Sequence, residues 1–284
     1  MLEVIQRSSD FLGRKGVESP RLQIELILAH VLQVPRLKLY LNFGRILTAP
    51  ELESARALVQ RRGAREPLQQ ILGSSCFCGL EMAVNRDVLV PRPETELLAE
   101  RGWQFLQERA GKGELRALDV GTGSGCLAIT LAAKVPQVEV CAVDISDAAL
   151  KVARENAARH GVSERILFLR SNGFAALPAG SQFALIVSNP PYIASAEVEK
   201  LAPEVRDYEP RQALDGGSDG LDFFRRLAAE APSFLASEGR LMLEIADGQE
   251  EAVRKILVQH NWAVEAIGND YSQRPRIVIA RRAN

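Results

Sequence analysis

The sequence Asn189-Pro190-Pro191-Tyr192 directly follows the apolar run 183–188 and is a candidate for chemistry on an amino group. The run is short and aliphatic, as is typical of a buried strand. Two prolines end it, because neither can donate a hydrogen bond to a sheet ladder. The asparagine therefore lies at the carboxyl end of a strand, where open α/β sheets bind ligands. Its side-chain oxygen and the neighbouring proline carbonyls would suit a planar NH2 group, such as that of a carboxamide or an adenine.

A second candidate stretch, Asp119-Val120-Gly121-Thr122-Gly123-Ser124-Gly125, joins a predicted strand to a predicted helix. Glycines let the backbone turn tightly and approach a ligand without a Cβ atom in the way, and the N–H groups at the helix start point towards that ligand. Asp144 follows the next predicted strand, where a carboxylate can accept hydrogen bonds from ribose hydroxyls. Together these features predict a cofactor that contains a nucleoside.

The spacing within the glycine loop distinguishes between nucleoside cofactors. A dinucleotide site has its third glycine three residues after the second, and Cys126 occupies that position here. The loop also lacks the Gly-Lys-Ser sequence of a phosphate-binding loop. The charge of Asp119 would repel a pyrophosphate but attract the sulfonium and ammonium groups of S-adenosylmethionine. The stretch from Asp119 to Gly125 resembles the cofactor loop of class I methyltransferases, which implies S-adenosylmethionine.

The elements that must position these stretches alternate between strand and helix from residue 115 onward. The predicted strands are 115–120, 138–143, 165–169, 183–187, 240–245, 263–267 and 276–280. The predicted helices are 126–133, 147–160, 221–235 and 250–259. Alternation of this kind predicts an α/β fold with a mostly parallel, doubly wound sheet.

The amino-terminal part of the chain has a different pattern. Residues 1–66 have apolar side chains at helical spacing, which predicts a bundle of about four short helices. This bundle is either a structural cap or a docking module for a large substrate. Residues 67–92 alternate apolar and turn-forming residues, which predicts a β-hairpin linker. Pro93 either begins a helix or belongs to a proline-stiffened turn over the cofactor.

Composition narrows the classes of protein. The formal net charge of −1 argues against a general nucleic-acid binder, which usually has a strongly basic face. No apolar run approaches the ~20 residues of a membrane span, and the first residues lack the apolar region of a signal peptide. We therefore expect a cytoplasmic protein that has no membrane partner. The cysteine spacing is not that of a zinc site, and the three histidines lie away from both motifs, so no metal is expected.

Together these stretches resemble the HemK/PrmC family, the protein-(glutamine-N5) methyltransferases that act on peptide chain release factors. The resemblance covers nearly the whole chain. It includes Pro91-Arg92-Pro93-Glu94-Thr95-Glu96, both motifs described above, and the later sequence Ala213-Leu214-Asp215-Gly216-Gly217. It implies a class I, Rossmann-like methyltransferase domain over residues 93–284, preceded by the helical domain and the hairpin linker.

The family resemblance implies methyl transfer to the glutamine of a Gly-Gly-Gln loop, with S-adenosylmethionine as donor and S-adenosylhomocysteine as product. After the third strand, where family members often have an acid and an aromatic residue beside the adenine, this chain has Asn172-Gly173-Phe174; Asn172 could bond the adenine and Phe174 supply apolar surface. The implied cofactor-binding residues are Asp119, Gly121, Thr122, Gly123, Ser124, Gly125, Asp144, Asn172, Gly173 and Asn189. The implied substrate-binding residues are Asn189, Pro190, Pro191 and Tyr192, of which Asn189, Pro190 and Tyr192 are the expected catalytic residues.

Several alternatives remain at this stage. An adenine-N6 methyltransferase acting on DNA or RNA would use the same acceptor geometry, and a binding module could hold the cofactor without turnover. Tyr192 either packs against the substrate or fills the core. Residues 193–220 form either a lid or a surface loop.

Overall fold

The computed structural model describes residues 1–111 and 113–283 and divides into two compact units. We call the first the helical unit; it comprises Met1–Ser74 together with Ala202–Tyr208. We call the second the sheet unit; it comprises Ser75–Leu201 together with Glu209–Asn284. A short segment from the second half of the chain thus belongs to the helical unit.

The described residues form twelve α-helices and nine strands. The helices are α1 (Leu2–Arg14), α2 (Pro20–Leu32), α3 (Arg36–Tyr40), α4 (Ala49–Gly63), α5 (Leu68–Leu72), α6 (Pro93–Gln107), α7 (Cys126–Lys134), α8 (Asp147–Arg159), α9 (Ser195–Val198), α10 (Pro203–Arg206), α11 (Asp222–Glu230) and α12 (Glu250–Gln259). The strands are β1 (Ser74–Phe77), β2 (Leu80–Ala83), β3 (Leu115–Val120), β4 (Val138–Asp144), β5 (Ile166–Arg170), β6 (Phe183–Ser188), β7 (Leu235–Glu244), β8 (Trp262–Asn269) and β9 (Pro275–Arg282). None of the helices in the described part of the chain is long and apolar enough to cross a membrane.

The helical unit confirms the expected amino-terminal helical region. Its core consists of apolar side chains of α1, α2 and α4, among them Leu12, Ile24 and Leu28, which are fully buried. The helix α10 is fastened to this unit by Glu204, which accepts hydrogen bonds from the guanidinium groups of Arg62 and Arg65 at 2.6–2.8 Å. Burial by itself would raise the pKa of Glu204. The hydrogen bonds from these two arginines have the larger effect and lower the pKa to about 2. The ion pairs are thus intact at neutral pH.

The hairpin β1–β2 is shorter than the apolar pattern suggested. Its turn contains Cys78 and Gly79, both with positive φ. The apolar residues 71–72 end α5 rather than begin a strand. Val88 and Val90 are buried but have no strand partner, and Val88 packs with side chains of α8. Alternating burial there reflects packing on a helix, not a sheet ladder.

The large sheet has the strand order β5-β4-β3-β6-β7-β9-β8. The pairs from β5 to β7 are parallel, whereas β9 runs antiparallel to both β7 and β8. This confirms the predicted doubly wound α/β fold. The helix expected over 221–235 ends at Glu230, because Pro232 lies in a single 3-10 turn and cannot continue it. The strand β7 then begins at Leu235, earlier than expected.

Both faces of the sheet are covered, as a parallel sheet requires. Along β6, Leu185 and Val187 face the apolar layer formed with α6 and α7, whereas Ile186 faces the layer formed with α11 and α12. Since helices cover both faces, the ends of the strands remain open, and open α/β sheets bind their ligands at the carboxyl edge.

Candidate active site

The two motifs meet where the strand order of the sheet reverses. The strands β3 and β6 are parallel neighbours, but the chain leaves β3 towards β4 on one side and leaves β6 towards β7 on the other. A crevice opens at such a switch point in doubly wound folds. The Ser188 hydroxyl donates to the Val120 carbonyl at 2.6 Å and ties the two strand ends together. The glycine loop and the Asn-Pro-Pro-Tyr stretch are therefore neighbours.

A cavity of about 320 Å³ lies at this crevice, within the range typical of small-molecule sites. Its lining includes Val88, Leu89, Gly121, Gly123, Asp144, Ile145, Asn172, Gly173, Asn189, Pro191 and Phe223. A smaller cavity of about 40 Å³ is lined by Pro91, Arg92, Thr95, Gly121, Thr122, Gly123, Ser124 and Asn189, among others. Asn189, Gly121 and Gly123 thus line both. The Pro-Arg-Pro turn lies beside the glycine loop, and Pro93 also begins α6, so the two alternatives for Pro93 are compatible.

The glycines of the loop have different roles. Gly121 and Gly123 have φ of 77° and 55°, and a Cβ atom on either would meet nothing within 4 Å. Their backbone is therefore exposed to the open space of the cavity. Gly125 lies instead at the start of α7, where a Cβ atom would come within 3.1 Å of the Ala153 Cβ. Close packing against α8 requires that glycine.

Asp144 is held in place at the carboxyl end of β4. One of its carboxylate oxygens accepts from the Gly123 N–H at 2.9 Å, and the other accepts from the Ser146 N–H at 2.9 Å. Burial raises its pKa, while these hydrogen bonds lower it. The carboxylate lines the larger cavity in a fixed orientation, and each oxygen retains a further lone pair.

Asp119 lies beneath the loop and not on the surface of either cavity. It is fully buried; one oxygen accepts from the Thr122 hydroxyl at 2.6 Å and from the Ala128 N–H at 3.2 Å. The other oxygen has no partner among the described residues. Burial raises the pKa of Asp119 to about 7, against the two hydrogen bonds that lower it. The hydrogen bonds that Asp119 accepts from Thr122 and Ala128 fix the shape of the glycine loop.

The stretch after β5 differs in part from the expectation. Arg226 donates hydrogen bonds to both the side-chain and the backbone oxygen of Asn172. A Cβ atom on Gly173 would lie 2.7 Å from the guanidinium carbon of Arg226. Asn172 and Gly173 both line the cavity. The expectation that Phe174 supplies apolar surface to the cavity is wrong. Its ring is buried and stacks on the ring of Phe234, with 5.2 Å between the ring centroids. The cavity takes apolar surface from other side chains, including Ile145 and Phe223.

The Asn-Pro-Pro-Tyr stretch is connected to a buried carboxylate that the sequence analysis did not single out. The Asn189 Nδ2 donates to the Thr95 Oγ1 at 3.0 Å, and that hydroxyl donates to the Glu244 Oε2 at 2.6 Å. The Tyr192 hydroxyl donates to the Glu244 Oε1 at 3.2 Å. Tyr192 lines neither cavity, and its ring packs against the apolar layer of α11 and α12. Pro190 is buried beside it.

Glu244 is 1% exposed and is the last residue of β7. Burial raises its pKa to about 7, against the hydrogen bonds from Thr95 and Tyr192 and the charge of Arg276, all of which lower it. An acid at the carboxyl end of a buried strand was the signal that identified Asp144. The same signal in the sequence 240–245 could have identified Glu244.

The segment 193–220 begins directly after Tyr192 and folds back on itself, so that its later part approaches the Asn-Pro-Pro-Tyr backbone. The Ile193 N–H donates to the Leu214 carbonyl at 3.0 Å, and the Gly216 N–H donates to the Ile193 carbonyl at 2.8 Å. A Cβ atom on Gly216 would lie 2.7 Å from the Pro191 carbonyl oxygen. Such a close approach excludes any larger residue without displacement of the backbone.

The segment also contacts the Pro-Arg-Pro turn. The Arg92 guanidinium donates to both oxygens of Glu209 at 2.7 Å, and that carboxylate is almost fully buried. Burial raises the pKa of Glu209, while Arg92 lowers it. The segment thus contacts the site at two places, through Gly216 beside Pro191 and through Glu209 bound to Arg92. These specific contacts distinguish it from a plain surface loop.

No group of three or more histidine, cysteine, aspartate or glutamate side chains in the described residues could hold a metal ion. The polar groups at the crevice are the carboxylates, amide and hydroxyls described above. They can bind and orient a ligand through hydrogen bonds.

Comparison with known proteins gives consistent matches over both units. The PrmC N-terminal domain family matches residues 3–73, and the methyltransferase small domain family matches residues 97–205. A release factor glutamine methyltransferase of Geobacter sulfurreducens is 46% identical over 252 residues, which cover 88% of this chain and 86% of that protein. The protein of the same name from Chlorobaculum tepidum is 43% identical over 282 residues, covering 97% and 95%.

Solved structures show the same fold at lower identity. A methyltransferase from Pyrococcus furiosus has a TM-score of 0.52 at 21% identity, covering 82% of this chain and 98% of that chain. The hMettl16 catalytic domain, in complex with a MAT2A 3'UTR hairpin, has a TM-score of 0.57 at 15% identity, covering 84% and 82%. The family itself is established by the much closer relatives, and the chain belongs to the release factor glutamine methyltransferases.

Proposed function

We propose that this protein transfers a methyl group from S-adenosylmethionine to the side-chain N5 of the glutamine in the Gly-Gly-Gln loop of peptide chain release factors. One observation carries the proposal. Asn189 lies at the end of β6, on the lining of both cavities, beside the glycine loop. An amide acceptor site and a nucleoside site thus meet at one residue, in a chain whose relatives are named for this reaction. Release factors act in translation, so we place the reaction in the cytoplasm.

The residues at the crevice fit S-adenosylmethionine. The exposed backbone of Gly121 and Gly123 allows close contact, and the fixed carboxylate of Asp144 suits a pair of ribose hydroxyls. Ile145 and Phe223 supply apolar surface for a flat ring. The unpartnered oxygen of the buried Asp119 gives this edge of the cavity a negative potential when ionised, which favours a cationic ligand.

The chain's own groups would orient the glutamine. A carboxamide nitrogen is a weak nucleophile because its lone pair is delocalised, and bound S-adenosylmethionine supplies a strongly electrophilic methyl group. The Asn189 Oδ1 and the Pro190 carbonyl oxygen each accept a hydrogen bond from one of the two N–H groups of the substrate amide. These acceptors align the nitrogen and stabilise the positive charge that grows on it. The nitrogen would gain the methyl group as the bond between methyl and sulfur breaks, which leaves S-adenosylhomocysteine; the nitrogen then releases one proton to water, so no catalytic base is needed.

The proposal is tested with labelled cofactor and a purified release factor, followed by mass spectrometry to locate the methyl group. We expect one methyl group on the glutamine of the Gly-Gly-Gln loop, and a rate of labelling roughly 10²–10³ lower with the Asn189→Ala variant. Label on another residue, or none on the intact release factor, would overturn the proposal. Duplex DNA and structured RNA are included as substrates, since label on adenine would support the adenine-N6 alternative.

We also propose that the helical bundle of residues 1–66, which is part of the helical unit, docks the release factor. A glutamine side chain has too few atoms to select one protein, and specific protein contacts bury on the order of 1,200–2,000 Å². Leu37, Leu41 and Ile46 are 73%, 82% and 89% exposed and lie close together in sequence. A contiguous exposed apolar patch is typical of a protein-binding surface, and we propose that these three side chains belong to one.

Deleting residues 1–66 alone would not test docking cleanly, because Glu204, in the part of the helical unit that remains, would lose Arg62 and Arg65. Point variants avoid this difficulty. The triple variant Leu37→Ser, Leu41→Ser, Ile46→Ser should raise KM for the intact release factor at nearly constant kcat. Its KM for a short Gly-Gly-Gln peptide should not change. Val258→Ser, at another exposed apolar residue, is the matched control. An unchanged KM would leave the helical unit as a structural cap.

A further inference from the structure

The carboxamide of Asn189 must present its oxygen, not its NH2 group, to the substrate amide. The two ends of a carboxamide have nearly the same shape, so packing alone does not select between them. Only a hydrogen-bond partner of fixed polarity can do so. The partner of Asn189 is the hydroxyl of Thr95, at 3.0 Å. A hydroxyl can either donate or accept, so its own polarity must be fixed by a third group.

Glu244 is that third group. An ionised carboxylate only accepts hydrogen bonds, so the Thr95 hydroxyl donates its single hydrogen bond to Glu244, at 2.6 Å. The Thr95 oxygen is then left with lone pairs only, and it can face only the NH2 end of Asn189. The other carboxylate oxygen is used by the Tyr192 hydroxyl, which holds the carboxylate in place. The Asn189 Oδ1, on the far side of the amide carbon, accepts no hydrogen bond among the contacts of the described residues.

We propose that Thr95 and Glu244 are positioning residues, which hold the Asn189 carboxamide with its oxygen towards the substrate nitrogen. This inference rests on the proposed function and adds two residues to it. Thr95 lies on the lining of the smaller cavity and Glu244 lines neither cavity, and both act through Asn189. Their burial supports the role, since Thr95 and Glu244 are 2% and 1% exposed, and a buried charge is kept at a cost in stability.

We call the series of hydrogen bonds that joins Glu244, Thr95 and Asn189 the relay. When Glu244 is protonated, the donors and acceptors along the relay are reversed. The neutral carboxyl can donate to the Thr95 oxygen, and the Thr95 hydroxyl can then donate to the Asn189 oxygen. The carboxamide turns by half a rotation, and its NH2 group faces the NH2 group of the substrate. The charged and titratable groups around Glu244 are Glu94 on α6, Tyr192, and Arg276 on β9. Because burial brings the pKa of Glu244 to about 7, activity should fall as the pH is lowered through neutrality.

Steady-state kinetics with a release factor separate positioning from mere structural support. Thr95→Val keeps the shape but removes the hydroxyl, and Thr95→Ser restores it. We expect kcat to fall about 10- to 100-fold in Thr95→Val, as for loss of a hydrogen bond to a charged group, and to stay within about 3-fold of wild type in Thr95→Ser. Affinity for S-adenosylmethionine, measured by calorimetry, and KM should change little. A wild-type kcat in Thr95→Val would overturn the proposal.

The pH profile of kcat provides a test through Glu244→Gln, which cannot titrate. Asp119 also has a raised pKa, so the comparison is made between the two proteins, both of which retain it. We expect the variant to have a kcat about 10-fold below wild type at high pH and to lose one protonation step on the acid side. If the acid limb of the variant matches that of wild type, Glu244 does not control the relay.

A measurement without any release factor keeps this inference distinct from the proposed function. The side-chain amide of Asn189 can be followed by NMR in protein labelled with ¹⁵N-asparagine, and its signal is assigned by its absence in Asn189→Ala. We expect its shift to titrate in wild type and not in Glu244→Gln or Thr95→Val. Titration with no methylation of release factors would retain the relay and reject the proposed function. A signal that does not titrate in wild type would reject the relay, whatever the activity, and this result remains available if Thr95→Val does not fold.

Discussion

The buried charge of Glu244 should make the sheet unit less stable as the pH rises through neutrality, and Glu244→Gln should remove this effect. The folded protein raises the pKa of Glu244 from 4.5 to about 7. Between these two values the folded chain holds a proton that the unfolded chain has released. Stability therefore falls with rising pH across this window, since the unfolded state binds fewer protons.

The magnitude follows from the size of the shift. Each pKa unit corresponds to about 1.4 kcal/mol, so the full effect is roughly 3 kcal/mol, of which about 2 kcal/mol falls between about pH 5.5 and pH 8. Glutamine loses the charge-assisted hydrogen bonds from Thr95 and Tyr192 as well. That loss shifts the free energy of unfolding by a constant at all pH values. Only the difference in slope between the two proteins reports the titration.

Urea unfolding followed by tryptophan fluorescence is a suitable assay. Both tryptophans, Trp103 and Trp262, belong to the sheet unit, so the signal reports that unit alone. Asp119 titrates in the wild type and in the variant, and its contribution cancels in the difference. The free energy of unfolding of Glu244→Gln relative to wild type should rise with pH. A difference that stays flat across this range would refute the reasoning, because it would mean that Glu244 has the same pKa in the folded and unfolded states.

Three further predictions concern the site itself. Asn189→Ala should lower kcat by roughly 10²–10³ and leave the Kd for S-adenosylmethionine within a few-fold, because it removes one preorganised acceptor; near-normal turnover would exclude Asn189 from the reaction. Asp144→Ala should weaken cofactor binding by about 10- to 100-fold in calorimetry, as for loss of a charged hydrogen-bond acceptor, and an unchanged Kd would assign the ribose contact to another residue. Gly216→Ala should displace the Pro191 carbonyl, which lies 2.7 Å from the added Cβ; we expect lower kcat with unchanged circular dichroism, whereas full activity would show that the segment yields without moving the site.

The fold and the two motifs could be predicted from the sequence because their signals are local. Apolar runs of strand length alternate with amphipathic helices from Leu115 onward, and the prolines after Ser188 mark the end of a strand. The pairing of β3 with β6 then follows from the doubly wound topology. The glycine loop and Asn189 had to meet at the same edge once that topology was assumed.

The contacts that sequence reasoning missed all join residues far apart in the chain. Thr95 and Glu244 are separated by 149 positions and meet only because α6 covers the end of β7. No periodicity encodes such a pair. Phe174 was misassigned for a related reason, since an aromatic residue near a predicted ligand gives no sign of whether it faces the cavity or, as here, the core. The ion pairs of Glu204 in α10 with Arg62 and Arg65 could not be predicted from the sequence for the same reason.

One feature unites the acids at the carboxyl edge of the sheet. Asp144 ends β4, Glu244 ends β7, and Asp119 lies one residue before the end of β3. Each is buried or half-buried, burial raises the pKa of each, and each accepts hydrogen bonds from groups of the glycine loop or from Thr95. A buried carboxylate reduces stability at neutral pH, and apolar residues could fill the same strand ends. We infer that these carboxylates are retained because acceptor-only groups fix the polarity of their neighbours, and a site that must recognise an NH2 group by its hydrogens depends on that polarity.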